Sequence, residues 1–187
     1  MFAKYVVALV AGKIVPYLIS PKNNHPSWDQ PPVNLREIEQ ILGAGFISWD
    51  GGKDAQVTCF GKGTFSNWGT GELSTHESRG DVDAEIFRGL LSQPIPYIVL
   101  KLSGQERPVF VQPGDTPDRA VARYQVYASR AVVSAGLVDF GLGTATASTC
   151  FGEETFNKVH GYVCAATFTS KSRGGTDLAL MEQHFKQ

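Results

Sequence analysis

The chain has little of what usually announces an activity. Its 187 residues include three cysteines and no C-x-x-C pair, which sets aside thioredoxin-type redox chemistry and cysteine-ligated zinc. The four histidines, His25, His76, His160 and His184, show no spacing typical of a zinc site, so neither a metal nor a cofactor is expected. No apolar run approaches the roughly 20 residues that span a bilayer. The segment KYVVALVAGKIVPYLIS is apolar but is interrupted by Gly12, Lys13 and Pro16. It lacks a basic n-region and a cleavage site, so it reads as part of the fold and not as a signal peptide. An odd cysteine count without an export signal points to reduced thiols and a cytoplasmic setting, that of a host cell. A formal net charge of -1 provides no generic grip on nucleic acid or on an anionic membrane surface. With 42% hydrophobic and 19% charged residues, the chain is neither disordered nor a coiled coil. Its length suits one ordinary domain or two small ones.

What the sequence does contain is itself, twice. TCFGKGTF (Thr58–Phe65) returns as TCFGEETF (Thr149–Phe156), matching at six of eight positions with an offset of 91. GAGFIS (Gly43–Ser48) lies opposite SAGLVD (Ser134–Asp139) at the same offset. YVVALVAGKIVPYLISP (Tyr5–Pro21) lies opposite YIVLKLSGQERPVFVQP (Tyr97–Pro113) at 92, and SRGDVD (Ser78–Asp83) opposite SRGGTD (Ser172–Asp177) at 94. Four blocks in one order imply a tandem duplication, residues 1–93 and 94–187. Two copies are too few for a solenoid, so a fused pseudo-dimer is expected. The join, SQPIP (Ser92–Pro96), is short and would keep the copies close.

Each element then has two witnesses. Strands flanking Ala11-Gly12-Lys13 and Ser103-Gly104-Gln105 predict a β-hairpin in each copy. Helices are expected over Asn34–Leu42, capped by Asn34, and over Thr116–Ser129. Strands follow at Gly45–Trp49 and Gln56–Phe60, matched by Ala131–Phe140 and Thr144–Phe151. A further strand is expected near Gly71–Thr75 and over Tyr162–Ser170. Each copy closes with a helix, Asp81–Leu91 and Gly175–Phe185, with Ser78 and Ser172 as caps. The order β-β-α-β-β-(β)-α predicts an α+β fold: a mostly antiparallel sheet with helices on one face, arranged about a pseudo-two-fold.

The duplication weighs the candidate sites. Cys59 and Cys150 hold the same position, but the histidines that would activate them do not align, so both read as buried strand residues. Cys164 has no counterpart. GKGTF lacks the spacing of a phosphate loop. Its Lys62 and Gly63 become Glu153 and Glu154, and a carboxylate pair repels phosphate. Arg79 and Arg173, with Ser78 and Ser172, stand at helix starts where a dipole and a guanidinium favour an anion. Alternatively each arginine pairs with Asp83 or Asp177 four residues on. Trp28, Trp49 and Trp68 all lie in the first copy. His25 and Trp28 on the loop NNHPSWDQPPV, together with Trp68, form a candidate partner-binding surface. The first copy carries a formal charge of -2 and the second +1.

The hairpin, A-G-[FL]-[IV], C-[FW]-G-x-x and S-R-x-x-D before a closing helix together resemble a group of small phage and prophage proteins of about one repeat length, which have no assigned activity. The resemblance covers each half in turn. It departs from the expected pattern at Gly80 and Gly174, where proline would follow the arginine. It implies a mobile-element accessory protein and supplies no catalytic residues. The expected function is therefore non-enzymatic: binding of a host or phage protein, such as a defence factor that it inhibits. The expected state is a monomeric pseudo-dimer or a homodimer. The alternatives are a binder of a small anionic ligand or nucleotide at the two helix N-termini, and a cysteine-dependent enzyme.

Overall fold

In the computed structural model, which describes residues 1–19, 37–63, 76–113, 120, 121, 124, 130–156 and 168–186, the apolar N-terminal segment folds back on itself. Strands β1 (Phe2–Val10) and β2 (Lys13–Ile19) pair antiparallel around a two-residue turn. Ala11 and Gly12 both have positive φ, 50° and 72°, which matches the turn twist to the twist of the strands. The second half opens the same way. Strands β5 (Ile95–Leu102) and β6 (Gln105–Phe110) join through Ser103 and Gly104, with φ of 48° and 87°.

Strand β3 (Ile38–Trp49) lies on the other side of β1, and β4 (Val57–Phe60) lies outside it, so the first sheet runs β2-β1-β3-β4. Strands β7 (Arg130–Asp139) and β8 (Thr149–Phe151) complete a second sheet in the order β6-β5-β7-β8. All pairings are antiparallel. Both central pairs carry a register shift at matching places, between Val7 and Ala8 and between Val99 and Leu100. A short hairpin partner, β9 (Glu153–Phe156) with β10 (Phe168–Lys171), precedes the last helix. Helices α1 (Asp81–Leu91) and α2 (Gly175–His184) end the halves. Among the described residues the molecule is thus α+β, with two four-stranded antiparallel sheets, the two-stranded β9–β10 pair and the two closing helices. Among the described residues no helix is long and apolar enough to cross a membrane.

Strand alternation sorts the side chains. Ala3, Tyr5 and Val7 of β1, with Tyr97 and Val99 of β5, face a single core shared by both sheets. Into it α1 sends Ala84, Phe87 and Leu91, while Met181 of α2 and Phe185 just beyond it come from the other half. Asp83, Phe87 and Leu91, like Asp177, Met181 and Phe185, follow helical i, i+4, i+8 spacing and form one buried stripe. The halves are also tied directly. Trp49 and Phe140 meet edge to face at 5.4 Å. The side-chain amide of Gln112 accepts from the Leu18 N–H and donates to the Leu18 carbonyl, at 3.2 and 2.7 Å, completing the edge of β2 as a neighbouring strand would.

Several expectations change. Residues 38–42 are extended, so the predicted helix over Asn34–Leu42 is a strand from Ile38 on; Asn34 itself lies outside the described residues. Pairing of Val10 with Ile38 and of Ala8 with Ile41 against β1 overrides the helix-like spacing of the isoleucines. Of the helix expected over Thr116–Ser129, Ala120 and Val121 are helical and the rest is largely outside the described residues. Ala120, Val121 and Tyr124 pack with Ile98, Leu100, Leu102 and Ala135. These side chains lie on the face of the second sheet opposite the shared core, so that sheet is covered on both sides and not on one. Of the further strand expected near Gly71–Thr75 and over Tyr162–Ser170, only residues 168–170 are described, and they belong to β10.

Candidate functional site

Both SRG sequences build the same local structure, beginning with the glycine. Gly80 and Gly174 are the residues that precede the two helices, with φ/ψ of 59°/-119° and 57°/-120°. Only glycine adopts this region readily, and proline, fixed near φ -65°, is excluded. Glycine and not proline therefore fits this place. The local geometry also corrects the capping expectation. Ser78 and Ser172 are not the caps: neither helix has a side-chain cap bond. Each serine Oγ instead accepts the N–H of the glycine two residues on, at 3.1 and 3.0 Å.

The serines belong to a buried network centred on Asp83 and Asp177, both fully buried. The Tyr5 hydroxyl lies 2.6 Å from both Ser78 Oγ and Asp83 Oδ2. Its one proton goes to the carboxylate, and the serine hydroxyl in turn donates to the tyrosine oxygen. The Tyr97 hydroxyl makes the same two contacts, at 2.6 Å each, with Ser172 and Asp177. Backbone N–H groups of Arg79 and Arg173 donate to the carboxylates at 2.8 and 2.9 Å, and each guanidinium Nε donates at 2.8 Å. The i, i+4 Arg–Asp pair foreseen for both copies is therefore present in both.

These contacts set the protonation states. Burial pushes both tyrosines well above the usual phenol range, and the bonds to Asp83 and Asp177 push further the same way. Burial alone would raise the Asp177 carboxyl, but donors from Tyr97, Arg173 and Ser134 outweigh it and hold it below its ordinary value. Burial, with the nearby aspartate charge, pushes the Cys59 and Cys150 thiols up to about 12. Neither thiol supplies thiolate at neutral pH. Cys150 Sγ rests 4.0 Å from Met181 Sδ in the core.

Lys62 of TCFGKGTF, which the spacing already sets apart from a phosphate loop, has a structural task. Lys62 pairs with Glu77 at 3.2 Å across an antiparallel bridge. At the corresponding place Glu153 pairs with Lys171 at 2.7 Å. The sign is exchanged and the pair is kept.

Two networks differ at single positions. Ser134 Oγ donates to Asp177 Oδ1 at 2.8 Å. Its counterpart is Gly43, where a Cβ would fall 2.4 Å from Asp83 Oδ2. Arg173 also reaches Glu106, with Nη1 and Nη2 lying 3.3 and 3.0 Å from Oε1 and Oε2. The residue corresponding to Glu106 is Ile14. Tyr5, Tyr97, Ser134 and Glu106 were not singled out from the sequence. The one signal was that Tyr5 and Tyr97 begin the matched blocks, since their partners lie far along the chain.

Elsewhere, Phe2, Phe46 and Phe60 form an aromatic cluster on the first sheet, with ring centroids 5.5–6.1 Å apart. Phe60 and its counterpart Phe151 are each 42% exposed. A cleft of about 500 Å³ opens between the ends of β3 and α2, lined among others by Trp49, Asp50, Ser148 and Glu182. Among the described residues no group of three or more His, Cys, Asp or Glu is placed to hold a metal ion. His25, Trp28, Trp68 and Cys164 lie outside the described residues. No family model, curated protein or solved structure matches the chain.

Proposed function

We propose that the chain is a non-catalytic binding protein built from two copies of one α+β module, residues 1–93 and 94–187, set about a pseudo-two-fold axis. In this reading it is a phage-derived accessory protein that acts on a protein of the host cell. The repeated tyrosine–serine–arginine–aspartate network supports the two-module reading, because its corresponding distances agree to within 0.1 Å. Contacts between matching positions support the axis. Trp49 meets its counterpart Phe140, and the N–H of Gly143 donates to the carbonyl of its counterpart Gly52. Phe2 N–H donates to Phe185 O at 2.6 Å, so the end of the chain meets its start much as α1 leads into β5.

The observation that carries the binding function is where the polar and apolar groups lie. The charges that looked catalytic are spent in internal bonds, whereas large apolar side chains remain at the surface. Phe60 sits on the edge strand β4 beside Phe2 and Phe46, an aromatic surface of the kind enriched at the centres of interfaces. Affinity capture from host lysate with the wild-type chain, Phe60→Ser and Trp28→Ala tests it. Specific capture by the wild type that weakens in either variant is expected; capture that neither variant alters, nor any other surface change, contradicts it.

A second reading has one observation in its favour. Arg79 lacks the additional carboxylate that Arg173 obtains from Glu106, so it is the better candidate of the two to hold a small anion or nucleotide. Thermal unfolding with phosphate and a nucleotide panel tests this, since a ligand of the folded state raises the melting temperature.

A further inference from the structure

We propose that Arg79, flanked by Ile14 and Val82, is the docking point for a glutamate side chain carried on an apolar segment of a partner protein. This rests on the reading of the chain as a binding protein and gives that function a surface and a recognition chemistry. The two arginines are anchored alike on their own aspartates and differ at the outer edge of the guanidinium. Arg173 holds Glu106 there in a two-pronged fork, the geometry that a guanidinium offers a carboxylate. Among the described residues Arg79 has no second carboxylate there. Its Nη2 lies 2.7 Å from Asp83 Oδ1 as an ion pair but without hydrogen-bond geometry, and that nitrogen is shielded from solvent. The side chain as a whole is still 32% exposed. The part of the guanidinium that an arriving carboxylate reaches is this exposed remainder, not the shielded Nη2.

Strand register explains the difference. Ile14 lies opposite Leu9 on β1, as Glu106 lies opposite Lys101 on β5. Ile14 thus stands on β2 where Glu106 stands on β6, and it is 53% exposed. On the first turn of α1, Val82 is 57% exposed at the place where α2 has Thr176. The first half therefore shows two exposed aliphatic side chains and, among the described residues, a partly exposed guanidinium without a second carboxylate. The second half supplies an internal precedent for what that edge takes, a carboxylate presented from an extended strand. A free phosphate suits the fork but leaves both aliphatic flanks in water. A glutamate between apolar residues satisfies all three groups.

The test is an NMR titration of the arginine Nε–Hε signals of the full chain with acetyl-Leu-Glu-Leu-amide, with acetyl-Leu-Gln-Leu-amide and inorganic phosphate as controls. The expected result is a saturable shift of the Arg79 signal, with Arg173 unmoved and the glutamine peptide about tenfold weaker or worse, the loss of a charged partner being worth at least that factor. In Ile14→Glu, an exposed substitution that gives Arg79 an internal carboxylate, the response disappears. No saturable shift, equal binding of both peptides, binding of phosphate alone, or an undiminished response in Ile14→Glu overturns the proposal. If the peptide fails while the chain still captures a protein through Phe60 or Trp28, only the Arg79 surface is refuted and the binding-protein reading stands.

Discussion

Arg79 and Arg173 have the same anchor and different surroundings. Each is fixed to a buried aspartate through its backbone N–H and its Nε. Around Asp177 the network is closed: Ser134 adds a hydroxyl and Glu106 occupies the outer guanidinium edge. Around Asp83 it is open: Gly43 brings no side chain, and Ile14 brings no charge. The comparison separates two roles that one residue type plays in one fold. The contacts kept in both halves hold the helix to the sheet. The contacts made in only one half are free to differ, and that is where binding specificity has room to arise.

The largest expected effect comes from removing what is kept. Asp83→Ala or Asp177→Ala leaves a buried tyrosine and a half-buried arginine without the carboxylate they share, and each is expected to cost about 3–5 kcal/mol in denaturant unfolding. The loss at Asp177 is the greater, because Ser134 is orphaned as well. Equal and small losses would break the claim that these networks hold the fold. Next, Tyr5→Phe and Tyr97→Phe each delete one bond to a charged acceptor and are expected to cost about 1.5–3 kcal/mol. Gly80→Ala and Gly174→Ala force a side chain into backbone geometry that suits glycine, an expected cost of about 1–3 kcal/mol in each half. Matching values in the two halves sharpen the comparison; values differing by more than about 2 kcal/mol undo the equivalence.

Acid probes the Asp177 network. The Asp177 carboxyl is held below its ordinary value in the folded chain. Its ionised form therefore stabilises the fold above the unfolded carboxylate pKa of about 3.9 and loses that contribution as pH falls below it. Ser134→Gly removes one of the donors responsible, so the folded pKa rises and the acid transition shifts to higher pH. Chemical denaturation across the acid range checks this, and an unmoved transition would mean that Ser134 contributes nothing to the carboxylate. The smallest stability effect belongs to Ile14→Glu: an exposed ion pair is worth about 0–1 kcal/mol, so its consequence is read in ligand binding.

Much of the fold was legible because four matched blocks of sequence allowed each element to be read against a counterpart. The hairpins around Ala11-Gly12 and Ser103-Gly104, the closing helices and the i, i+4 Arg–Asp pairs all depend on neighbours in sequence, and two copies agreed on each. The first turns of β3 were misread because Ile38 and Ile41 have helical spacing. What makes them strand is pairing with β1 across a register shift, which local pattern does not carry. The serines were placed at the helix starts, but their partners were not foreseen. Tyr5 lies 73 residues from Ser78 and 78 from Asp83, and Glu106 lies 67 from Arg173. Contacts of that separation follow from sheet order, which the sequence does not spell out. TCFGKGTF was set aside as a phosphate loop on spacing and on the change of Lys62 and Gly63, but the pairing of Lys62 with Glu77 was not foreseen.

The exchange of Ile14 and Glu106 tests the central claim most directly. The arginine Nε–Hε spectrum is recorded for the wild type, for Ile14→Glu and for Glu106→Ile. If the halves share one network that is closed in the second and open in the first, Ile14→Glu moves the Arg79 signal toward that of Arg173, and Glu106→Ile moves the Arg173 signal toward that of Arg79. If each substitution leaves its arginine signal in place, the two edges are not equivalent, and the account of the open half is wrong.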